Sequence, residues 1–286
     1  MAGSFQSVFR AGLFAGQAGI VTGAGSGIGR CTAHELAALG ARVALVGRRM
    51  EKLESVAREI AAAGGSARCH VADIRDEERV REVVRAVCAD FGRLDFLVNN
   101  AGGQFAAPLE SISLKGFDAV VRNNLTGGFL MAREAYAQSM KQHGGAIVNM
   151  IADMWNGMPN MGHSGAARAG MLNFTETAAL EWAPVRVNAV APGWIASSGL
   201  DHYPEEMRAH IRALPAKVPL HRLGTESEVS AAIVYLLSPA AAFISGSCIR
   251  VDGAVPNVKP NYALPPRGTT VAFDGFHLAT KPKVLE

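Results

Sequence analysis

The sequence has no long apolar run and no block of like charge, and each absence excludes a class of protein. No segment of the 286 residues approaches the roughly 20 apolar residues that a membrane-spanning helix needs, and the first residues lack the continuous apolar stretch of a secretion signal. The net charge of +3 is spread along the chain, without the run of about five or six like charges typical of charged binding tails. We therefore expect a cytoplasmic protein that binds neither membranes nor nucleic acids.

Cysteine is also scarce in this sequence. The four cysteines are far apart and show no CxxC spacing, so we predict buried free thiols and no metal site. Hydrophobic residues make up 49% of the chain and charged residues 19%, a composition that supports a large core. The cysteines are Cys31, Cys69, Cys88 and Cys248.

Short apolar runs bounded by glycine or polar turns alternate with helical patterns over most of the chain. The runs are typical of buried parallel strands. A capping box at Thr225 and Glu228 opens a late helix, which ends before Pro239. We predict an α/β protein with a Rossmann fold, in which a doubly wound, seven-stranded parallel sheet has the order 3-2-1-4-5-6-7. The predicted strands are Ala18–Thr22, Val43–Val46, Ala67–Val71, Phe96–Asn99, Ala146–Met150, Val185–Ala191 and Ser247–Val251.

The pattern predicts one globular domain with an arm at each end. The domain covers residues 15–253 and follows an N-terminal arm of residues 1–14. Residues 254–286 contain five prolines and no helical period, so they form a C-terminal arm that is either ordered or partly disordered. Residues 194–224 form a long insertion after the sixth strand, at the edge of the sheet where such folds bind ligands. We expect this insertion to be a substrate lid.

Glycines cluster where the first strand turns into the first helix. The segment AGIVTGAGSGIGR places Gly23, Gly25, Gly27 and Gly29 in this turn. With a strand before it and a helix after it, the turn can direct backbone amides and the positive end of the helix at a pyrophosphate. The sequence therefore predicts a nucleotide site here.

This turn resembles the TGxxxGIG signature of the short-chain dehydrogenase/reductase family. Further matches are NNAG at 99–102, an acidic residue after the third strand, an asparagine in NNLTG and a PG turn at 192–193. The resemblance covers residues 15–253 and implies an oxidoreductase with a nicotinamide cofactor. The cofactor contacts that it implies are Gly23, Gly25, Ser26, Gly27, Ile28, Gly29, Asp73, Ile74, Asn100, Ala101, Gly102, Arg168, Pro192, Gly193 and Ile195.

The end of the second strand indicates which nicotinamide cofactor is bound. NAD enzymes place a carboxylate there to accept the ribose hydroxyls, but this chain has Gly47. Arg48 and Arg49 follow, and a guanidinium group is suited to bidentate phosphate recognition. We therefore predict NADP(H) as the cofactor.

Most of the family reduces a carbonyl group with a serine and a YxxxK pair, and this chain lacks all three residues. Ile151 occupies the serine position, Ser164 the tyrosine position and Arg168 the lysine position, so that only Asn124 of the usual tetrad remains. Arg168 can anchor the nicotinamide ribose but not relay a proton. Ser164 can orient a substrate oxygen but is too weak an acid to replace the tyrosine. The alternative for both is ordinary helix packing with a surface cation.

Within the family, HSGAARAG at 163–170 and NNAGGQF at 99–105 resemble peroxisomal trans-2-enoyl-CoA reductases. The related 2,4-dienoyl-CoA reductases use a tyrosine from the preceding loop, and this chain has Asp153 at that position. The resemblance implies reduction of the C=C bond of a 2-enoyl (CoA) thioester, with hydride added to the β-carbon. Such a reaction needs a weaker acid than ketone reduction, because charge spreads into an enolate.

The identity of the proton donor stays open between two residues. Asp153 lies just past the fifth strand beside Trp155, where burial would raise its pKa, and Tyr203 lies in the lid. An ordinary loop aspartate and a lid-packing aromatic are equal alternatives. Two other functions also stay open: a carbonyl reductase or alcohol dehydrogenase with an atypical site, and a non-catalytic NADP(H)-binding protein. The family resemblance further implies a homotetramer that pairs the helices at 113–143 and 161–183.

Overall fold

A computed structural model describes residues 3–203, 205–266 and 270–286; Pro204 of the lid and residues 1–2 and 267–269 of the arms lie outside the described residues. All seven predicted strands form one parallel sheet in the predicted order, β3-β2-β1-β4-β5-β6-β7. Four of the predicted strands differ from the observed ones, two of them by one residue at one end and two by one residue at both ends. The strands are β1 (Ala18–Thr22), β2 (Arg42–Gly47), β3 (Ser66–Val71), β4 (Phe96–Asn99), β5 (Ala146–Met150), β6 (Arg186–Pro192) and β7 (Cys248–Val251).

Helices connect successive strands on both faces of the sheet. The α-helices are α1 (Gly27–Ala38), α2 (Met50–Ala62), α3 (Glu77–Phe91), α4 (Leu114–Val121), α5 (Gly127–Ala135), α6 (Lys141–His143), α7 (Gly162–Glu181), α8 (Arg208–Ala213) and α9 (Glu226–Leu237). Two π-helical turns, Arg122–Thr126 and Tyr136–Met140, join α4, α5 and α6 into the single helical segment that the sequence predicts at 113–143. Short 3₁₀ helices are Leu109–Ser111, Ser198–His202, Glu205–Met207, Leu214–Lys217, Pro239–Ala241, Val255–Asn257 and Lys283–Leu285.

The sheet separates two apolar layers. Alternate residues of a strand face opposite sides, so Val21 of β1 belongs to the layer that contains Leu36 of α1 and Ile233 of α9. Its neighbour Ile20 belongs to the layer that contains Val84 of α3 and to which α5 and α7 also contribute. Burial on both faces explains why the strands read as continuous apolar runs in the sequence.

The N-terminus of α9 is fixed by the predicted capping box. The Thr225 hydroxyl accepts a hydrogen bond from the Glu228 amide at 3.1 Å, and a Glu228 carboxylate oxygen accepts one from the Thr225 amide at 2.9 Å. Because α9 packs against α1 on the same face of the sheet, this start lies beside the start of α1. The glycine-rich turn is therefore packed between the sheet and α9.

The described part of the C-terminal arm is packed against the domain. The Gln6 amide donates a hydrogen bond to the Gly275 carbonyl at 2.8 Å, which joins the two arms. Phe276 is buried with Phe5 and Cys31 on the outer side of α1, and Val284 is buried in the apolar cluster of the lid. Of the two alternatives left open by the sequence, the ordered arm is the one found over these residues.

Candidate active site

The glycine-rich turn has the close packing that the sequence predicts. Gly23 has φ +65°, a left-handed conformation that favours glycine. A β-carbon on Gly29 would lie 2.4 Å from the Asn100 side-chain amide and 2.5 Å from the Gly23 carbonyl oxygen, so no larger residue fits there. The first turn of α1 thereby approaches β1 closely and directs its free amides to the carboxyl edge of the sheet.

The NNAG segment is held to this turn by Thr22. The Thr22 hydroxyl accepts hydrogen bonds from the amides of Asn100 at 3.0 Å and Ala101 at 2.9 Å. In return, the Asn100 side-chain amide donates to the Thr22 carbonyl at 2.9 Å. The ends of β1 and β4 are thus locked together, and they form the floor of a cavity.

An open cavity of about 310 Å³ lies along this edge of the sheet. Eleven of the predicted cofactor contacts line it: Gly23, Gly25, Ser26, Ile28, Arg48, Arg49, Asp73, Ile74, Asn100, Ala101 and Gly102. Seven further residues line it that the sequence reasoning did not name as cofactor contacts: Val46, Gly47, Lys52, Leu53, Ala72, Asn123 and Ser197. Ser197 belongs to the predicted lid, so the lid segment reaches the cavity.

One end of the cavity is cationic. Arg48, Arg49 and Lys52 line it, and Arg49 is only loosely paired with Glu51, at 4.0 Å between two exposed side chains. Asp73 lies at the same end, and hydrogen bonds from Arg75 lower its pKa to about 2, with a smaller contribution from the charge of Arg48. Two arginines and a lysine around an open space, with no carboxylate at Gly47, fit a phosphate group.

The remaining predicted cofactor contacts do not line this cavity. Gly27 and Gly29 face α9 and β1, while Pro192 ends β6 and Ile195 is buried in the core. The Gly193 amide donates to the Val251 carbonyl at 3.0 Å. The contacts of these residues with the cofactor stay predictions.

Arg168 and Asn124 meet at the inner end of the cavity, behind Gly102. A β-carbon on Gly102 would lie 2.6 Å from both Arg168 Nη2 and Asn124 Oδ1. Arg168 is 7% exposed and is therefore not a surface cation; Nη1 donates to the Met150 carbonyl at 2.6 Å, and Nε is buried without a hydrogen bond. Burial lowers the pKa of Arg168 to about 10, so its guanidinium is still charged at neutral pH. Its contact with a ribose hydroxyl stays a prediction.

Ser164, at the usual tyrosine position, is completely buried. Its hydroxyl donates a hydrogen bond to the side-chain oxygen of Gln104 at 2.7 Å, and its amide donates to His163 Nδ1 at 2.9 Å. Gln104 lies in the exposed loop after β4. The serine hydroxyl is thus engaged with a protein side chain instead of facing the cavity.

The same loop is held at the residues before and after Gln104. The Asn124 side chain donates to the Gly103 carbonyl at 2.7 Å and accepts from the Gly103 amide at 3.0 Å. The Phe105 ring packs edge-on against His163, with ring centroids 4.4 Å apart. Because Gln104 Oε1 accepts from Ser164, its Nε2 amide is left to donate elsewhere. The sequence reasoning did not identify Gln104, although it lies within the NNAGGQF motif.

Asp153 lies on the β6–β7 side of the site. Its amide donates to the Pro192 carbonyl at 3.1 Å, and its carboxylate oxygen Oδ1 is buried without a hydrogen bond. Burial and the negative charge of Asp252 raise the pKa of Asp153, while the charge of Arg250 and a hydrogen bond from the Trp155 backbone oppose the shift. Among the described residues, the buried Oδ2 of Asp252 accepts no hydrogen bond and lies 3.6 Å from Arg250 Nε. A raised pKa makes Asp153 a better proton donor than an ordinary aspartate.

Tyr203, the other predicted acid, packs within the lid. It joins an apolar cluster built on Leu200, Ile211 and Leu214. Within the described ranges its hydroxyl makes no hydrogen bond. Its role as an acid stays a prediction.

A family model described as enoyl-(acyl carrier protein) reductase matches residues 23–255. The chain belongs to the short-chain dehydrogenase/reductase family. It is 38% identical, over 82% of its length, to the probable 2,4-dienoyl-CoA reductase of Bacillus subtilis (strain 168), of which it covers 94%. It is also 34% identical, over 84% of its length, to the 3-oxoacyl-[acyl-carrier-protein] reductase FabG of Thermotoga maritima, of which it covers 98%.

Among solved structures, the chain is similar to the citronellol catabolism dehydrogenase AtuB of Pseudomonas aeruginosa PAO1. The identity is 61% and the TM-score 0.80, over 88% of this chain and all of the other. This short-chain dehydrogenase/reductase is therefore an oxidoreductase of a family that binds NAD(P)(H) and acts on small molecules. Across the described ranges, no helix is both long and apolar enough to cross a membrane.

Proposed function

We propose that this protein reduces the C=C bond of a 2-enoyl thioester with NADPH. The proposal rests on the environment of Ser164, which is buried and whose hydroxyl donates a hydrogen bond to Gln104. A ketone reductase needs a strong acid at this position, because the alkoxide that forms must be protonated on oxygen. Conjugate reduction needs a hydrogen-bond donor for the thioester oxygen, and an amide is sufficient for that.

We propose that the free Nε2 amide of Gln104 donates a hydrogen bond to the thioester oxygen. Ser164 orients this amide from one side, and the Gly103–Asn124 pair fixes the loop backbone that carries it. Gly102, two positions earlier, lines the cavity, which places Gln104 near its inner end. Hydrogen bonds to the thioester oxygen would strengthen as negative charge moves onto it. When bound, NADPH supplies the hydride for the β-carbon.

We propose that Asp153, which lies near Asp252, donates the proton to the α-carbon of the substrate. The raised pKa of Asp153 and its unsatisfied Oδ1 support a role as proton donor at the edge of the site. Tyr203 is the alternative donor, although its packing in the lid favours a structural role. The Asp153→Asn and Tyr203→Phe variants separate the two, since loss of a proton donor lowers kcat by about 100-fold or more.

We propose NADP(H) as the cofactor. Arg48, Arg49 and Lys52 provide cations for a 2′-phosphate, and Gly47 removes the carboxylate that would repel it. Arg168, with its unpartnered Nε, would hold the nicotinamide ribose. The close approach at Gly23 and Gly29 provides the backbone cradle for the pyrophosphate.

The test is turnover of a substrate panel by the purified protein. We expect oxidation of NADPH with 2-enoyl-CoA thioesters, and formation of the saturated thioester, but little reaction with ketones. Enoyl thioesters on acyl carrier protein belong in the same panel, because the choice of CoA rests on family resemblance. NADPH binding without turnover of any substrate would instead support a non-catalytic NADP(H)-binding protein.

A second candidate is an alcohol dehydrogenase or carbonyl reductase with an atypical site. The observation in its favour is the 61% identity to a dehydrogenase of citronellol catabolism. Citronellol with NADP⁺ and its aldehyde with NADPH therefore belong in the panel. Turnover of these two compounds without turnover of enoyl thioesters would replace the first candidate with the second.

We also propose that the protein is a cytoplasmic homotetramer. Leu114 of α4 and Leu180 of α7 are 77% and 82% exposed, and these are apolar side chains on the two helical segments that the family resemblance implies as interfaces. Light scattering at micromolar concentration should give four times the mass of one chain, and a stable monomer would contradict the assignment.

A further inference from the structure

Glu226, the first residue of α9, lies behind the glycine-rich turn and outside the cavity. Its carboxylate oxygen Oε1 is 3.8 Å from the point that a β-carbon on Gly27 would occupy. Gly27 begins α1, whose free N-terminal amides are the groups that would receive the cofactor's pyrophosphate. An acidic side chain is therefore packed against the back of an anion-binding helix terminus.

The surroundings of Glu226 disfavour a negative charge. Within the described ranges its carboxylate accepts no hydrogen bond, and burial raises its pKa to about 7, with a further contribution from the charge of Asp274. Arg30 acts in the opposite direction, but its Nε is already paired with Glu59 at 2.8 Å. Glu226 is thus close to half-protonated at neutral pH.

Among the described residues, three charged or titratable groups face Glu226. Arg30 and Cys31 come from α1, and Asp274 comes from the C-terminal arm. The pKa of the Cys31 thiol is raised well above its ordinary value by burial and then by the nearby carboxylates, so the thiol does not titrate near neutrality. Asp274 is exposed. Glu226 is therefore the group in this cluster whose charge changes most readily.

We infer that cofactor binding is coupled to uptake of a proton by Glu226. The pyrophosphate brings negative charge to one side of the glycine-rich turn while Glu226 lies on the other, and neutralising Glu226 removes their repulsion. The inference rests on the proposed cofactor site. It does not depend on the proposed reaction or on the choice between NADPH and NADH, because both carry the pyrophosphate.

The direction of the effect follows from linkage. Well below pH 7 Glu226 is already neutral in the free protein, so binding requires no proton. Bound pyrophosphate raises the pKa of Glu226 further, and between the two pKa values each binding event takes up part of a proton. Affinity therefore falls as the pH rises above 7, by about tenfold for each unit by which the cofactor raises that pKa.

Calorimetric titration of the full-length protein with NADPH tests this coupling. Measurements in two buffers of different ionisation enthalpy give the number of protons taken up, and titrations at intervals from pH 7 to pH 9 give Kd. A 2′-phosphate, with a pKa of about 6, is already ionised over this range. NADH, which has no 2′-phosphate, is the second probe.

For the wild type we expect proton uptake and a Kd that increases by about tenfold across this range. For Glu226→Gln we expect no uptake, a constant Kd and tighter binding than the wild type at pH 9. The matched variant Asp274→Asn should shift the decline in affinity to lower pH, because it removes a charge that disfavours ionised Glu226.

The same proton count and pH dependence in wild type and Glu226→Gln would overturn the inference while leaving the cofactor site intact. Failure of both NADPH and NADH to bind at any pH would overturn the cofactor site, and this inference with it. The glutamine has the same shape as the glutamate, and its melting temperature provides a check that the variant is folded.

Discussion

The two halves of the site use their polar groups in opposite ways. At the ends of β1 and β2, Arg48, Arg49 and Lys52 line an open cavity. At the ends of β4 and β5, Ser164 and Arg168 are buried and hydrogen-bonded to the protein itself. The first half, the receptor half, has charges that face a ligand directly, and in the second, the inner half, hydrogen bonds within the protein fix the polar groups in place before a ligand binds. A substitution in the receptor half should remove a contact with the ligand, and a substitution in the inner half should displace the groups that contact the ligand.

The largest effect is expected at Gly102, where the two halves meet. In Gly102→Ala the new β-carbon would lie 2.6 Å from Arg168 Nη2 and Asn124 Oδ1, so both side chains must move. We expect kcat/KM to fall by about 1,000-fold, since displacing a group that stabilises the transition state costs about 100- to 1,000-fold. Gly103→Ala is the control, because its nearest neighbour is the Asn123 side-chain amide at 3.3 Å. Equal losses in the two variants would show that the inner half is not closely packed.

The next largest effect is expected in the receptor half. Arg48→Gln should raise the Kd of NADPH by about 10- to 100-fold, the equivalent of one charged hydrogen bond, and leave that of NADH nearly unchanged. Fluorescence titrations measure both constants. Arg85→Gln removes an exposed arginine from α3 and controls for net charge. If Arg48→Gln weakens both cofactors equally, Arg48 does not contact the 2′-phosphate.

A smaller effect should separate Gln104 from Ser164. Gln104→Met removes the amide that we assign to the thioester oxygen. It should lower kcat by about 30-fold, less than the loss of about 100-fold or more typical of a transition-state donor, because Gln104 is exposed and water can partly replace its amide. Ser164→Ala removes only the partner that orients this amide, so the loss should stay below about tenfold. Steady-state kinetics with an enoyl thioester measure both. If Ser164→Ala is the more damaging change, the serine acts on substrate directly and the contrast between the two halves fails.

The smallest effect is expected at the C-terminal arm. Val284 is 3% exposed in the lid cluster, and its amide donates to Asp201 at 2.9 Å. Val284→Ala loosens this packing, and one lost apolar contact costs about 1 kcal/mol. We expect KM for the thioester to rise by about threefold and the Kd of NADPH to stay unchanged. Lys283→Ala, at an exposed neighbouring position, is the control. A change in NADPH affinity instead would mean that the arm affects the receptor half.

The receptor half could be predicted almost completely from the sequence. Strand order and the glycine-rich turn depend on local patterns, namely apolar runs, helical periodicity and glycines at a strand–helix junction. Lys52 was missed because it lies inside α2, where a lysine reads as an ordinary exposed residue. Only the packing of α2 against Gly25 brings this side chain to the cavity.

The inner half depends on contacts that no local pattern contains. Ser164 and Gln104 are 60 residues apart, and their hydrogen bond exists because α7 packs beside the loop after β4. Asp252 approaches Asp153 because their segments follow β7 and β5, on either side of β6. A glutamate at the start of a helix is typical of a favourable partner for the helix dipole, and the sequence does not show that Asp274 of the distant C-terminal arm contributes to the raised pKa of Glu226.

The route of the C-terminal arm sets an order for assembly during synthesis. The sheet is complete when β7 leaves the ribosome, and the cofactor cavity is lined by residues that all precede it. The lid cluster is completed only later, when Val284 packs beside Leu200 and Ile211. Since chains fold from the N-terminus as they are made, a nascent chain should acquire the shape of a nucleotide-binding protein before it can enclose a substrate.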